Sequence, residues 1–456
     1  MKLIKIEKFK PGEANHWKVG VLLACIQILR NFSVSHVNSN FPIIIESLNI
    51  DRASGSWIFN IQSIMQMLSS ILTGYLSKSF GIPICFVSGL FVFCVFNLLF
   101  VLLQFNQNFI LVLTLFFGLS IGMGAMIATS LPLMKLLVKK ENLTSAIAIQ
   151  TTLSPIGPIL SKFLAGFVAE TAGWWWMSVI CGCFAFFFLI LAQIFLQIGR
   201  LSAKIRFDLF GFVLVSGGIV VQNLGMLTFS GNFLIYWEGI LLVLLHLFLF
   251  AAFFQTLNEQ SLIHKGIFCK KYVKVFAVAV LASICSIIDK YVEPFILRHY
   301  FSQTYVTMIL SLCVIPTIFA APFVVRLSKR YKPKNLYLVL IFGLILSQAF
   351  NCVQLRFFNN KWVQILIIAT NDSIHTALTT LKTVLLFNSV PVDIAPHMGA
   401  MQPLLLCQGA TLGTAFATII SMITPPIDFW ALNHVVSVIF CLIVAFIALF
   451  FAFSLD

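Results

Sequence analysis

Acidic and histidine side chains lie inside apolar stretches of the second half of the chain. Asp372 and His375 stand three residues apart within residues 362–387, and Asp289 lies within residues 272–296. Side chains three residues apart share one face of a helix, and a carboxylate beside an imidazole can bind and release a proton near neutral pH. The pattern predicts a proton pathway in which Asp289 and Asp372 are the titratable carboxylates and His375 shares the proton. The same carboxylates could instead attract a cation.

A basic residue, Arg30, lies near the middle of the apolar stretch 19–47. A charge at the centre of a bilayer costs at least about 2.5 kcal/mol on insertion scales and usually faces a cavity. Arg30 is therefore expected either to release the proton from an opposing carboxylate or to hold an anionic substrate. The alternative is a structural ion pair with Asp372 that only fixes helix packing. Polar residues that follow on the same stretch extend the predicted pathway, namely Asn31, His36 and Asn38.

Composition sets the class of protein that must position these residues. The 456 residues are 60% hydrophobic and only 10% charged, with a mean hydropathy of +1.01, whereas soluble domains carry about 25% charged residues. A membrane helix needs about 20 apolar residues. We therefore expect an all-α integral membrane protein with about fourteen transmembrane helices, near 19–47, 57–77, 83–103, 109–133, 143–168, 174–198, 208–228, 235–256, 272–296, 303–325, 336–355, 362–387, 398–422 and 432–454.

Lysine and arginine fall mainly on one side of these predicted helices. If both termini are cytoplasmic, the inner segments hold 22 Lys and Arg residues, Lys382 among them, and the outer segments hold 4. Cytoplasmic loops carry such an excess, so both termini are expected in the cytoplasm, with residues 1–18 as a cytoplasmic tail. The excess also accounts for the net charge of +14 without a nucleic acid partner. Trp174, Trp175 and Trp176 are expected at the outer boundary of the bilayer, where aromatic rings are enriched.

Internal repetition predicts how the helices are grouped. Two short segments recur 251 and 252 residues further along the chain: residues 76–78 at 327–329, and residues 148–150 at 400–402. Transporters built from repeated bundles bind substrate between the halves, near the middle of the membrane. The matches predict two six-helix bundles, at 19–200 and 272–456, separated by two inserted transmembrane helices at 201–271.

Several motifs give the chain a resemblance to a known family. They are Trp57, the frame of Gly74, Leu76 and Gly81, and the segments GMGAMIATSLP, SPIGP with Gly157 and Pro158, and VPVDIAPHMGAM. In order and spacing they resemble the major facilitator superfamily and, within it, the fourteen-span drug:proton antiporter branch that includes the yeast aminotriazole-resistance group. The resemblance implies secondary active transport, usually efflux coupled to proton uptake, through a cavity lined by helices 1, 9 and 12.

The resemblance also implies roles for individual residues. The turns after the second helix of each bundle would act as gates, here Gly74, Lys78, Gly81, Lys329 and Arg330. Lys78 is alternatively a plain positive-inside anchor. Gly157 and Pro158 correspond to the helix 5 motif, where they are expected to pack and bend the helix. The chain departs from the family pattern where Lys78 stands for an Asp, Gly118 for an Arg and Ser161-Lys162 for two glycines.

We therefore expect a transporter of small solutes that works by alternating access, without enzymatic activity or a cofactor. Proton-coupled export of small organic or cationic compounds is the first hypothesis. The altered motifs also favour a carrier for a small polar nutrient or ion, such as ammonium, an amino acid or borate, and a transporter-like receptor that moves nothing is a third interpretation. The expected partners are the lipid bilayer, a small-molecule or ion substrate and protons, with no metal. A monomer in the plasma membrane is favoured over one in the vacuolar membrane.

Overall fold

The computed structural model describes residues 14–50, 52–196, 208–231, 237–256, 270–301, 303–328, 330–353 and 360–389, and parts of 394–447. Within these residues the chain is almost entirely α-helical, which confirms the predicted all-α class. Residues 1–13 of the predicted tail, much of the last two predicted helices and Lys329 lie outside the described residues.

Polar side chains start the helices of the first part of the chain. Asn15 accepts a hydrogen bond from the backbone N–H of Trp17 at 2.9 Å, and Asn108 accepts one from Ile110 at 2.9 Å. These caps satisfy amide groups that have no partner inside a helix. The helices between residues 14 and 196 are α1 His16–Leu48, α2 Arg52–Phe80, α3 Ile82–Leu99, α4 Phe109–Leu137, α5 Lys140–Leu153, α6 Ile156–Thr171 and α7 Trp176–Phe195.

The connection between α2 and α3 is a single residue, Gly81. Its φ of 91° lies in the region that favours glycine, and its N–H donates to the Ser77 carbonyl oxygen at 3.0 Å. Lys78 therefore lies in the last turn of α2, where a positive charge interacts favourably with the helix dipole. We call the end of the molecule with this turn the Gly81 end, and the opposite end, where α6 meets α7, the Trp174 end.

The predicted fifth membrane helix is divided into α5 and α6 by two prolines. Pro155 and Pro158 lack the N–H groups that would bond to the carbonyls of Thr151 and Ser154 four residues earlier. Pro155 immediately precedes α6 and Pro158 lies in its first turn, where a missing N–H is tolerated. The helix therefore breaks at Ser154, and it leaves the Ser154 carbonyl without its usual helical donor.

The second part of the chain begins with a helical hairpin. Its two helices pack against each other, and the ring Nδ1 of His246 donates to the Gly218 carbonyl oxygen at 2.8 Å. The first helix of the hairpin also packs on α2. The described helices of this part are α8 Leu209–Gly231, α9 Trp237–Thr256, α10 Lys270–Tyr300, α11 Gln303–Val314, α12 Thr317–Ser328, α13 Pro333–Val353 and α14 Lys361–Ser389.

Eight helical segments among the described residues are long and apolar enough to cross a membrane. Two shorter apolar helices, Leu209–Gly225 and Leu244–Gln255, lie where the inserted pair was predicted. The chain is therefore a multi-pass membrane protein. The eight segments are His16–Phe41, Ile82–Gln104, Phe109–Leu137, Lys140–Ala169, Trp176–Phe195, Tyr272–Lys290, Tyr305–Ser328 and Lys334–Asn351.

The first and second parts of the chain touch along their length. α6 packs on α11 near the Trp174 end, while α5 packs on α12 and α14 nearer the Gly81 end. Gly399 meets α4 so closely that a Cβ there would overlap the Ala128 carbonyl oxygen, and the Ser70 hydroxyl donates to the Ala400 carbonyl oxygen at 3.3 Å. α2 and α4 thus close against the described segment that contains Gly399.

Two polar or amphipathic side chains are more deeply buried than the sequence suggested. Trp174 is only 1% exposed, and its indole N–H donates to the Ser47 hydroxyl at 3.1 Å, so its ring packs inside the first bundle. Lys382, counted as a charge of a cytoplasmic segment, is 2% exposed within α14. The sequence did not predict the burial of either side chain, because apolar pattern and charge counts do not specify which side of a helix faces a neighbour.

Candidate functional site

A carboxylate and an imidazole meet inside the second bundle. Oδ2 of Asp289 on α10 lies 3.2 Å from Nε2 of His375 on α14, and the two side chains are only 7% and 8% exposed. Gln348 on α13 donates from Nε2 to the same carboxylate oxygen at 2.7 Å. Because water is largely excluded, the carboxylate oxygen depends on these two side chains for its hydrogen bonds. The arrangement lets a proton be held between the carboxylate and the imidazole.

Of the two predicted carboxylates, His375 contacts the one on the other helix. Asp372 lies three residues away on α14, yet His375 contacts Asp289 on α10. Asp372 is half-buried and lies within electrostatic range of Glu293, one turn beyond Asp289. Gln348 was not predicted at all. Its only signal was an amide inside an otherwise apolar helix.

A second set of charges faces across the interface between the two bundles. Glu293 on α10 is buried, and it lies within electrostatic range of Lys162 on α6 as well as of Asp372 and Asp289. Cys313 on α11 borders the same group. Lys162 belongs to the first bundle and the carboxyl groups to the second, so a carboxyl group that is ionised here attracts the first bundle near the Trp174 end. The i, i+4 spacing of Asp289 and Glu293 was the sequence signal for this group.

Arg30 lies near the middle of α1 and is held by its neighbour. Its Nη2 donates to Oδ1 of Asn31 at 2.5 Å, and the Asn31 amide donates across to the Ser154 carbonyl oxygen of the first bundle at 3.1 Å. Cys407 of the second part lies within electrostatic range of the guanidinium. Arg30 therefore lies where the two bundles face each other.

The helix break explains how Asn31 reaches the Ser154 carbonyl. Pro158 cannot donate to that oxygen, which otherwise receives only a long contact of 3.4 Å from the Gly157 N–H. Gly157 lets the backbones approach, since a Cβ there would overlap the carbonyl oxygen of Ile28 on α1. Gly157 and Pro158 thus shape the surface that orients Asn31, and through it Arg30.

Among the described residues, no carboxylate lies within salt-bridge distance of Arg30. The contact between Asp289 and His375 is the salt bridge found there, and Arg30 Nε is buried without a hydrogen-bond partner in the same part of the chain. The structure thus contains no ion pair between Arg30 and Asp372, which was the structural alternative. Arg30 is a cation with unused donors.

Comparison with known proteins identifies the family. The profile of the Major Facilitator Superfamily matches residues 23–350. The chain belongs to the major facilitator superfamily. No curated protein sequence matches it.

Solved structures with the major facilitator fold are similar over nearly the whole chain. The proton:xylose symporter XylE bound to 6-bromo-6-deoxy-D-glucose has a TM-score of 0.64 at 11% identity, and the match covers 97% of this chain and 96% of that one. The human organic anion transporter MFSD10 (TETRAN) has a TM-score of 0.68 at 11% identity, over 96% of this chain and 100% of that one. At this identity the similarity concerns the fold alone.

Of the pathway residues predicted on α1, two lie at the interface between the bundles and two do not. Arg30 and Asn31 face the interface, as described. His36 is fully buried with its Nε2 3.0 Å from the Ser178 hydroxyl of α7, so it lies within the first bundle, and Asn38 is exposed.

The predicted gate residues lie at the Gly81 end. Gly74 is buried and its carbonyl oxygen accepts from the Ser77 hydroxyl at 2.7 Å, so it tightens the last turns of α2 before Gly81. Arg330 is exposed in the turn after α12, and its N–H donates to the Leu327 carbonyl oxygen at 2.9 Å. Lys329 lies outside the described residues. Members of the major facilitator superfamily are transporters and not enzymes, which fits the expected absence of enzymatic activity.

Proposed function

We propose that this chain is a secondary active transporter that exports small organic solutes in exchange for protons. The observation that carries the proposal is the buried contact of Asp289 with His375, with Gln348 as a third partner. A lone carboxylate in a membrane interior is costly unless it is protonated or paired. A carboxylate that shares its proton with an imidazole can exist in both states, which is what a proton-coupled carrier needs.

Proton binding would be linked to movement through the neighbouring charges. When Asp289 and Glu293 are ionised, the acidic surface of α10 attracts Lys162 of the first bundle and favours closure at the Trp174 end. When they bind protons this attraction weakens and the bundles can separate there. Rocking of two bundles about a site near the middle of the membrane is the general mechanism of alternating access.

The similar structures support transport of small organic solutes. One is described as a proton:xylose symporter and the other as an organic anion transporter. We further propose that the chain belongs to the fourteen-span branch, works as a monomer in the plasma membrane, and has both termini in the cytoplasm. The charge asymmetry of 22 to 4 supports the orientation.

A second candidate is a carrier for a small polar nutrient or ion without proton coupling. The observation in its favour is the set of departures from the antiporter pattern, where Lys78, Gly118 and Ser161-Lys162 replace the family residues. In that case the contact between Asp289 and His375 would only join α10 to α14.

The test is solute flux in sealed proteoliposomes with a pH gradient imposed and then collapsed. The variants are Asp289→Asn and the matched Asp372→Asn, which removes a carboxylate that does not contact His375. We expect the first variant to lose gradient-driven flux and the second to retain most of it. Gradient-driven flux that persists in Asp289→Asn would refute the proposed proton site, and wild-type flux that ignores the gradient would favour the uncoupled carrier.

A further inference from the structure

We infer that Arg30 binds a carboxylate group of the transported solute, so that the substrates are organic acids and not simple cations. The inference rests on the proposed transport function and adds the substrate class. It arises from three features of the described residues: the charge of Arg30 without an ion-pair partner, the network that orients it, and the lack of a carboxylate within salt-bridge distance.

The Arg30 guanidinium has N–H donors that no described residue accepts. Arginine carries five N–H groups in a planar fork that matches the two oxygens of a carboxylate. Among the described residues only Asn31 accepts from it, through Nη2, while Nε is buried and unpartnered. A buried donor without an acceptor is costly, and an incoming carboxylate would satisfy Nε together with a second N–H.

The fork is oriented in advance. Asn31 is fixed from two sides, because its amide donates to Ser154 and its oxygen accepts from Arg30 and, at 3.5 Å, from Gln27. The Ser154 oxygen is available because Pro158 cannot donate to it. A donor group held in place before binding loses less conformational entropy when the ligand arrives. The break between α5 and α6 thus helps to orient the Arg30 side chain.

Among the described residues of the first bundle, no acidic side chain pairs with Arg30. The sequence has four acidic residues between positions 14 and 196, namely Glu46, Asp51, Glu141 and Glu170. In the described part of the chain, the carboxylates inside long apolar helices are those of α10 and α14, and they lie around His375 and Lys162. The negative charge opposite Arg30 is therefore left to the solute.

The charges of such an exchange are consistent with export. An anion leaving the cell and a proton entering it both move in the direction favoured by a membrane potential that is negative inside. A cation leaving the cell would move against that potential. Arg30 would also repel a cationic compound at the point where the bundles face each other.

The experiment measures thermal unfolding of the purified full-length chain with carboxylates and their neutral amides. The probes are benzoate with benzamide and succinate with succinamide, at millimolar concentrations. The variants are Arg30→Gln, Arg30→Lys and Asn31→Asp, with Arg326→Gln as the control, since Arg326 is exposed at the end of α12. Asn31→Asp nearly preserves shape and supplies an internal carboxylate to Arg30.

We expect a carboxylate to raise the unfolding temperature of the wild type and of Arg326→Gln, and its amide to have no effect. Arg30→Gln and Asn31→Asp should bind the carboxylate at least about tenfold more weakly, the loss expected for a hydrogen bond to a charged group. Arg30→Lys should be intermediate, because lysine keeps the charge without the fork. If Arg30→Gln does not fold, Asn31→Asp alone decides the question.

The inference is overturned if carboxylates and amides act alike on the wild type, or if folded Asn31→Asp binds carboxylates normally. Its failure can be told from failure of the proton site. Asp289→Asn should keep carboxylate binding and lose coupling to the pH gradient. If Arg30→Gln binds carboxylates normally while Asp289→Asn loses coupling to the pH gradient, the proposed function stands and the carboxylate substrate class is rejected. If Arg30→Gln loses carboxylate binding while Asp289→Asn keeps coupling, the substrate class stands and the proposed proton coupling is rejected.

Discussion

The Asp289 carboxylate lies 3.2 Å from the His375 imidazole across the interface of α10 and α14, and the two residues are 86 positions apart in the chain. The carboxylate oxygen that faces the imidazole also accepts a hydrogen bond from Gln348 on α13. Three helices of the second bundle thus contribute one side chain each. A change in the protonation of Asp289 would therefore alter contacts that involve α10, α13 and α14.

Replacement of Gln348 should weaken gradient-driven transport. The Gln348 amide donates to the carboxylate oxygen that contacts His375, so Gln348→Leu leaves a buried acceptor with one donor fewer and should lower gradient-driven flux. The measurement is proteoliposome flux across a series of internal and external pH values. Gln364→Leu is the matched control, since Gln364 is also buried but its amide has no partner among the described residues. Wild-type flux in Gln348→Leu would show that this hydrogen bond does not contribute to transport.

Replacement of Pro158 should slow transport without loss of stability. Pro158→Ala gives residue 158 an N–H that can bond to the Ser154 carbonyl oxygen in the ordinary helical manner, so the substitution should not lower helix stability. Asn31 would then lose its acceptor and Arg30 its orientation. We expect an unfolding temperature equal to or above that of the wild type and a transport rate lower by about tenfold.

Pro155→Ala is the control for the bend itself. It restores a donor to the Thr151 carbonyl and leaves the Ser154 carbonyl available to Asn31. If both proline variants slow transport equally, the bend matters and the contact with Asn31 does not.

A double-mutant cycle should reveal attraction between the bundles near the Trp174 end. Lys162→Met and Glu293→Gln each remove one of two opposite charges that lie within electrostatic range across the interface. Their effects on the free energy of unfolding should be non-additive by about 0.5 kcal/mol or more. Thermal and denaturant unfolding in detergent provide the measurement. The pair Lys334→Met and Glu293→Gln should be additive, because Lys334 lies in the first turn of α13 at the opposite end.

A methyl group at Gly399 should disturb the contact with α4. The Cβ of Gly399→Ala would overlap the Ala128 carbonyl oxygen and meet the Pro132 ring, and overpacking of this kind costs about 1–3 kcal/mol. We expect a lower unfolding temperature and slower transport. Gly343→Ala serves as the control, because a Cβ there meets only Ile374 at an ordinary 3.7 Å. Equal stability of the two variants would mean that this closure does not occur in the membrane.

Much of the candidate site was visible in the sequence as a list of residues. Asp289, Asp372, His375 and Arg30 were selected because charges at membrane depth are costly and therefore informative. Their pairing was not visible. Spacing on α14 favoured Asp372 beside His375, whereas side-chain direction and the packing of α10 on α14 bring Asp289 there instead.

The amino-acid sequence by itself determined the all-α membrane class and the resemblance to the major facilitator superfamily, and it predicted a bend at Gly157 and Pro158, where the structure has a break. These properties depend on local composition, on charge counts and on proline chemistry, none of which requires long-range contacts. Tertiary structure alone decided that His36 turns toward α7, that Trp174 and Lys382 are buried, and that Asn31 spans from α1 to the Ser154 carbonyl. Each of these depends on which face of a helix meets a distant helix, and an apolar sequence pattern leaves that choice open because lipid and protein neighbours are equally apolar.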